Sequence, residues 1–595
     1  MINKLVKVIA FILCIQALPG QIGTWMVSNR NHPELEWKTI STKQFNIHYH
    51  NGLEETAIKS ARVAEHVMPT LMQQMNLDTI PKIDITLTNE DEFENGFAIR
   101  LTYQVFIWVD QNDMLLWLEK DKWLETVIAH ELQHVLYFEK TKTWLPSPMD
   151  LLIGNTPPWV IEGIAEYMTE SWRPYRADLE HKRHVLSNPD KRSMWDPHAD
   201  GFSKALYWAS RFGDSTFVQV LEYRNDARLY DFEEAFKKVT GISSKQFVED
   251  WRVHMNTYYY SYRSQKETYE EIGTVLTLPI KRMQSFKFYS DSSKIALLGL
   301  FNKNNRDVSL ILAERDTAKE NKQRKEWDTE TAKINKKKKK TKKDSLRLKK
   351  NYKGTVLWKK SEADFGRFHE SMSWSPDGNK IAYSKYHYAK ENQSLVYDIK
   401  VYDTTTKKDK WITSSMRTRF PVWVDSTNIA FVSVKNDTSN IFISDQNGNL
   451  KQLTDFSGNT QILDLNVSSN YESIVFAMSP ESGNIDIYTI NIKSKLVERV
   501  TNHKAADVKP IWHSDGTAIS FTSHRNGVPN IFTINLSNSA INQNTDSGDG
   551  IVSRQWMPNS NLLFGQASIS TADSVRLVAL DPFRRAKKTS FSISN

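Results

Sequence analysis

Cysteine is almost missing from this chain. Its 595 residues contain one, Cys14. One thiol forms no disulfide, so neither an oxidative framework nor paired-cysteine redox chemistry is available. Long apolar runs are also missing. Nothing approaches the roughly 18 consecutive apolar residues that a membrane-crossing helix needs, so no transmembrane span is expected. An even positive charge is missing too, although the formal net charge is +8. Residues 317–353 hold 16 Lys and Arg against 5 Asp and Glu. That window carries +11, and the rest of the chain carries 8 − 11 = −3. A basic face for nucleic acid is therefore not expected, and the lysine block reads as a solvated, disordered insertion. The remaining reading for that block is contact with phosphate-rich surfaces such as lipid headgroups.

What is present is globular. Hydrophobic residues make up 39% and aromatic residues 11%, too apolar for a disordered chain. The length exceeds one ordinary core, so two or more domains are expected. Residues 1–20, MINKLVKVIAFILCIQALPG, have a lysine-bearing start, a short apolar run and small or turn residues after it. That is the form of a secretory signal peptide, and its cleavage would remove Cys14. The residues before Cys14 are Ile12 and Leu13, which argues against lipidation. A large exported chain without disulfides fits a bacterial periplasm, outer surface or secreted location, with peripheral envelope association open.

Two textures follow. Residues 21–270 mix strands (43–50, 82–89, 103–110) with a helix at 56–75, then turn mainly helical at 121–140, 158–170, 203–223, 230–239 and 244–262. Strands first and helices later predict an α+β domain. Residues 280–595 show short strands, turn residues and a repeat. Phe288, Trp374, Trp423, Val467, Trp512 and Trp556 recur at intervals of 86, 49, 44, 45 and 44 residues. The first interval holds the lysine-rich insertion. A period near 44 with several strands per unit predicts the blades of an all-β propeller. Turns such as Ser375-Pro376-Asp377-Gly378 separate the strands, Pro fixing φ and Gly permitting φ > 0.

The segment IAHELQHVL (128–136) carries the chemistry. Residues i and i+4 share a helix face, so His130 and His134 can hold one ion while Glu131 takes a proton from water beside it. In a chain with 15 His the H-E-x-x-H pattern arises by chance in roughly 2% of cases, so a third ligand is needed. PPWVIEGIAEY (157–167) supplies it. Glu162 lies 28 residues after His134, and Glu166 one turn further on the same face. Carboxylates in an apolar segment are costly to bury unless they meet a cation.

Three readings stand on these residues: a zinc peptidase, a hydrolase of non-peptide bonds using the same site, or a binding protein with an inert peptidase-like scaffold. W-x-x-E-G-x-A-E-Y after H-E-x-x-H resembles the gluzincin zinc metallopeptidases, closest to the peptidase MA-like group, over roughly residues 36–255. The resemblance implies a zincin-like fold and one zinc ion held by His130, His134 and Glu162. It also implies Glu131 as general base and Glu166 behind the ligands, and a peptide or protein as substrate. Relatives place a Tyr or His opposite the metal as oxyanion donor. Here His198 and Tyr207 are the candidates, many relatives carrying Tyr where His198 aligns. ENGFAIRLTYQVFIWVD (94–110) would form the edge strand that binds an extended peptide. Glu94-Asn95 faintly resembles an aminopeptidase motif, but the flanking residues do not match it. The C-terminal repeat resembles the TolB-like six-bladed propeller, implying a platform for a substrate or protein partner.

Overall fold

The computed structural model describes residues 32–587, apart from 93–94, 110–122, 144–155, 171–196, 227–230, 279–280, 292, 301–307, 351–355, 392, 437, 481–483, 558–559 and 568–574. The expected signal peptide, Cys14 and Glu94 lie outside the described residues.

The N-terminal unit is a five-stranded sheet with helices on it. Strands β1 (Trp37–Ser41), β2 (Phe45–His50), β3 (Ile83–Thr88), β4 (Gly96–Ile99) and β5 (Gln104–Trp108) lie in the order β1-β2-β3-β5-β4. β2, β3 and β5 run parallel, and β1 and β4 pair antiparallel at the two edges. Helix α1 (Glu54–Gln74) links β2 to β3 as a crossover. Helix α2 (Trp123–Lys140) packs beside α1 and against β4. Alternation explains the strands: Phe45, Ile47, Ile83 and Ile85 face one core with Ala57, Ala64, Ile128 and Leu132, all fully buried.

The expected helix over 203–223 is two helices. α4 (Pro197–Phe212) ends at Gly213, whose φ of +87° stops it, and α5 (Ser215–Asp226) restarts. α3 (Pro158–Glu170), α6 (Phe232–Thr240) and α7 (Ser244–Ser264) complete the layer. Trp208 of α4 fills its centre, edge-on to Phe217 at 4.9 Å and to Phe236 at 4.7 Å.

The C-terminal unit is six four-stranded antiparallel sheets. Blades one to five are β7–β10 (within 281–366), β11–β14 (368–411), β15–β18 (418–452), β19–β22 (461–499) and β23–β26 (507–543); blade six is β27 (Ile551–Trp556), β28 (Leu563–Ala567) and β29 (Val575–Leu580), closed by β6 (Thr274–Leu278). Their innermost strands are β7 (Lys281–Phe288), β11 (Phe368–Trp374), β15 (Thr418–Trp423), β19 (Gln461–Val467), β23 (Asp507–Trp512) and β27 (Ile551–Trp556). Each of the six repeat positions is the last residue of one of them. β6 (Thr274–Leu278) pairs with β29 (Val575–Leu580), so the propeller begins upstream of the boundary at 280. A ring must close, and its closing strand comes from the far end of the repeat, where no periodicity marks it.

The lysine-rich insertion is not the expected disordered loop. It forms two helices, α9 (Thr317–Asn335) and α10 (Lys342–Leu348), after the short α8 (Tyr269–Ile272). Asp316 caps α9, and Thr341 with Asp344 forms a capping box on α10. No residue of α9 is buried, so the expectation of solvation holds.

Among the described residues, two attachments join the units. At one, the turn Glu90–Glu92 enters blades two and three. Asp91 N donates to Ser394 Oγ (2.7 Å), Tyr386 Oη to Asp91 O (2.6 Å), Leu395 N to Asp91 Oδ1 (2.9 Å) and Tyr397 N to Glu92 Oε2 (2.6 Å). At the other, Arg584 pairs with Glu267 (2.6 Å) and Lys266 with Asp546 (3.0 Å), by blades five and six. These blade pairs oppose each other around a six-fold ring. Both contacts are made at the end from which the innermost strands start. The N-terminal unit therefore bridges that mouth of the channel.

Candidate functional site

α2 exists because Leu124, Val127, Ile128, Leu132, Val135 and Leu136 form a buried stripe. That register turns His130, Glu131 and His134 toward α3 with little exposure: 7%, 5% and 7%. α3 starts at Pro158, suited to a first helical turn, and buries Val160, Ile164 and Ala165. Its opposite face presents Glu162. His130 Nε2 lies 3.5 Å and His134 Nε2 3.3 Å from Glu162 Oε2. The imidazoles meet edge to face at 4.6 Å.

The fit to a metal rests on three observations. Ligand atoms about 2.0–2.1 Å from a tetrahedral zinc stand roughly 3.3 Å from one another, which is the spacing found. His130 Nε2 and Glu162 Oε2 are buried without hydrogen-bond geometry to any partner, where native structures satisfy nearly all such atoms. Two imidazoles and one carboxylate are a zinc donor set. The electrostatics agree. Burial alone would lower His130, but Glu162, Glu166 and Glu131 outweigh it and lift His130 to about 9. Burial alone would raise Glu162, but His130 and His134 hold it well below the usual carboxylate range. This cluster favours a cation between α2 and α3.

Glu131 faces the same cleft. Burial pushes its carboxyl up, with His134 and His130 opposing, and its Oε2 has no hydrogen-bond partner. A raised carboxyl suits proton transfer.

The structure brings His198 to this cluster. Its Nδ1 lies 3.2 Å from Glu162 Oε2 and 3.1 Å from Glu166 Oε1. Glu166 is buried and so anchors His198 through that contact, in addition to its expected place behind the ligands. His198 Nδ1, His130 and Glu166 also form a second group with metal-compatible spacing. Tyr207 is not brought in. Nine residues along α4 it faces the other side, its ring 5.0 Å from His254 and 5.5 Å from Phe247, and its hydroxyl accepts from Arg211 at 3.3 Å. Half a turn of helix phase separates the two candidates.

Three glycines to which sequence reasoning gave no role set this geometry. Gly163 sits against Gly201 where α3 crosses α4. A Cβ on Gly201 would stand 2.6 Å from Trp159 O and 2.7 Å from Gly163 N. Only glycine at both positions lets the backbones close enough to seat His198 beside Glu162. The signal was readable, since a mid-helix glycine costs about 1 kcal/mol against alanine and asks for a packing reason. Gly96 on edge strand β4 is the third. A Cβ there would lie 2.6 Å from Val127 Cγ2 and 3.3 Å from Glu131 Oε1. The edge strand thus runs directly over the carboxylate. A separate open cavity of about 1160 Å³ between α1 and blade three, lined by Glu54, Lys59, Leu124, Arg417 and Phe456, includes none of these site residues.

Comparison with known proteins bears on the C-terminal unit. Residues 379–582 match the family model described as the TolB beta propeller domain. A Tol-Pal system protein TolB from Helicobacter hepaticus is 31% identical over 148 residues, covering 24% of this chain and 35% of that protein. A TolB homolog from Chlorobaculum tepidum is 33% identical over 108 residues, covering 18% and 24%. The chain thus spans about a third or less of these curated relatives. Among solved structures, TolB from Acinetobacter baumannii has 17% identity and a TM-score of 0.32 over 50% of this chain and 67% of that one. An oligogalacturonate lyase in complex with manganese has 9% identity and a TM-score of 0.34 over 50% and 77%. The C-terminal half is a TolB-like six-bladed propeller. The matched family model leaves the N-terminal unit outside it.

Proposed function

We propose that this chain is an exported zinc-dependent peptidase whose propeller serves a substrate or protein partner. The observation that carries the reading is the convergence of His130 Nε2 (3.5 Å) and His134 Nε2 (3.3 Å) on Glu162 Oε2, with Glu131 beside them. A zinc ion held there would supply a Lewis acid and lower the pKa of a bound water. Glu131 would take the proton of the attacking water and return it to the leaving amine. The backbone of β4, an edge strand, would pair with an extended peptide and set the scissile carbonyl over α2. His198, steadied by Glu166, would donate to the developing oxyanion. The leader at 1–20 supports export, and the TolB-like propeller supports a protein partner in the envelope.

The test compares wild type with Glu131→Gln for zinc content and for cleavage of a panel of denatured proteins. Both should bind about one zinc, and the variant should lose roughly 10²–10⁴-fold in rate. A wild type that binds no zinc ends the reading. If both bind zinc and neither cleaves anything, the chain is a binding protein with a peptidase-like scaffold, which the TolB-like propeller favours as the second reading.

A further inference from the structure

Every innermost strand of the propeller is interrupted at a similar level. Register shifts fall between Lys281 and Ser285, Phe368 and Met372, Arg419 and Val422, Leu463 and Asn466, Val508 and Ile511, and Ser553 and Gln555. A bulge re-aims a side chain out of the pleat. Inside these bulges stand Glu370, Phe420, Asp464, Lys509 and Arg554. Phe420, Asp464 and Lys509 hold φ of 56°, 55° and 51°, a conformation that such side chains adopt rarely and that marks sites under constraint. The bulges place four charged groups around the channel, where they line a cavity of about 100 Å³ together with Lys287.

The charges do not cancel. Lys509 pairs with Glu370 and lies 3.7 Å from Asp464 Oδ1. Arg554 Nη1 lies 3.0 Å from Glu370 Oε2, and its Nε donates to Gln566 Oε1 at 2.7 Å. Burial pushes Glu370 up, but Lys509 and Arg554 pull it far down. Lys287 has no carboxylate within pairing distance among the described residues. Among the described residues three cations therefore face two carboxylates, leaving one uncompensated positive charge. Lys287 is part-buried on the channel wall, and drawing an unpaired ammonium partly out of water is unfavourable; that desolvation lowers its basicity to about 8. An anion entering the channel would remove that penalty.

We infer that the propeller channel is an oxyanion-binding site, in which Lys287, with Lys509 and Arg554, receives a carboxylate such as the terminus of an extended peptide, or a phosphate. The mouth on the bulge side lies beneath the N-terminal unit, so a chain end leaving that unit could reach the ring. The site shares no residue with His130, Glu131, His134 or Glu162, and binding there is independent of whether those residues cleave anything.

Limited acetylation of the full-length protein with acetic anhydride at pH 8, read by mass spectrometry, tests this. Amine acylation follows the neutral fraction, so Lys287 should label well ahead of an ordinary lysine. Triglycine, triglycine amide, inorganic phosphate and potassium chloride are compared at equal ionic strength. Lys336–Lys340, on an exposed segment, serve as internal controls. The expected result is at least fivefold protection of Lys287 by triglycine or phosphate, with none by the amide or chloride and no change at the controls. Protection by triglycine alone identifies a chain terminus; protection by phosphate as well identifies a general oxyanion site. Arg554→Gln should abolish the protection. Equal labelling of Lys287 under all four conditions, or protection by the amide as strong as by the acid, overturns the inference.

Discussion

Glu131 has little room. It is buried between the two histidines, with the edge strand lying over it at Gly96. Gly96→Ala would push a methyl into Val127 and against the Glu131 carboxylate. The atoms nearest that methyl belong to Val127 and Glu131 and not to His130, His134 or Glu162, so on the proposed reading metal binding should be unaffected. The expected outcome is unchanged zinc content with a fall in kcat/KM of roughly 10–100-fold, since an ångström of misplacement has that scale. Steady-state kinetics beside metal analysis checks it. The two histidines, Glu131, Glu162 and Glu166 were legible because H-E-x-x-H and E-x-x-x-E are local on a helix. His198 entered only through the resemblance, as one of two oxyanion candidates, because its approach depends on Gly163 meeting Gly201 from different helices. Tyr207, equally plausible in the sequence, was excluded only by helix phase once His198 was seated.

At the scale of elements, the repeat positions act as staples between blades. Trp374 Nε1 donates to Lys287 O at 2.9 Å, and Trp423 Nε1 donates to Ser373 O at 3.2 Å. Trp556 Nε1 likewise donates to Trp512 O. The tryptophan period was visible because the same inter-blade bond recurs. In blade two, Gly378 has φ +68°, and a Cβ there would press on the Tyr289 ring at 2.6 Å, so that turn requires glycine twice over. α9 and α10 differ in kind. Local capping and the Arg347–Trp327 contact at 4.4 Å hold them, not a core. They connect β9 (Val308–Arg315) to β10 (Trp358–Gly366), whose ends Arg315 and Trp358 already pair. Replacing residues 317–350 by a short Gly-Ser loop should therefore leave the melting temperature within about 2 °C, measured by calorimetry. A large drop would show that the hairpin supports blade one.

The whole molecule depends on burying charge where its two units meet. Arg419 is fully buried, 3.6 Å from Glu92 and over the Tyr397 ring at 4.9 Å. Burial raises the Glu92 carboxyl, with Arg419 and Arg417 opposing. His32 Nε2 meets Asp91 at 2.9 Å from the other side. Arg419→Ala would strand Glu92 in a dry interface at a cost of about 3–5 kcal/mol. The expected result is undocking: faster hydrogen exchange over 386–397 while the remaining blades keep their protection. Uniform exchange throughout would mean that the linker contacts at Glu267 and Lys266 hold the units together by themselves.

None of this interface was readable in advance. Glu90-Asp91-Glu92 looks like an exposed acidic turn, and Arg417 and Arg419 look like two charges on a strand. By itself the sequence determined what repeats or recurs within a helical turn: the ~44-residue blades, the strand alternation, and a metal-compatible set on α2 and α3. Tertiary structure decided what depends on long-range approach. It seated His198 and not Tyr207, supplied β6 to close blade six, and placed the N-terminal unit across the channel. The reason is range. Periodicity and capping act over a few residues and leave a mark in the order of amino acids. A close approach of Gly163 to Gly201, or of Glu92 to Arg419, leaves none until the chain has folded.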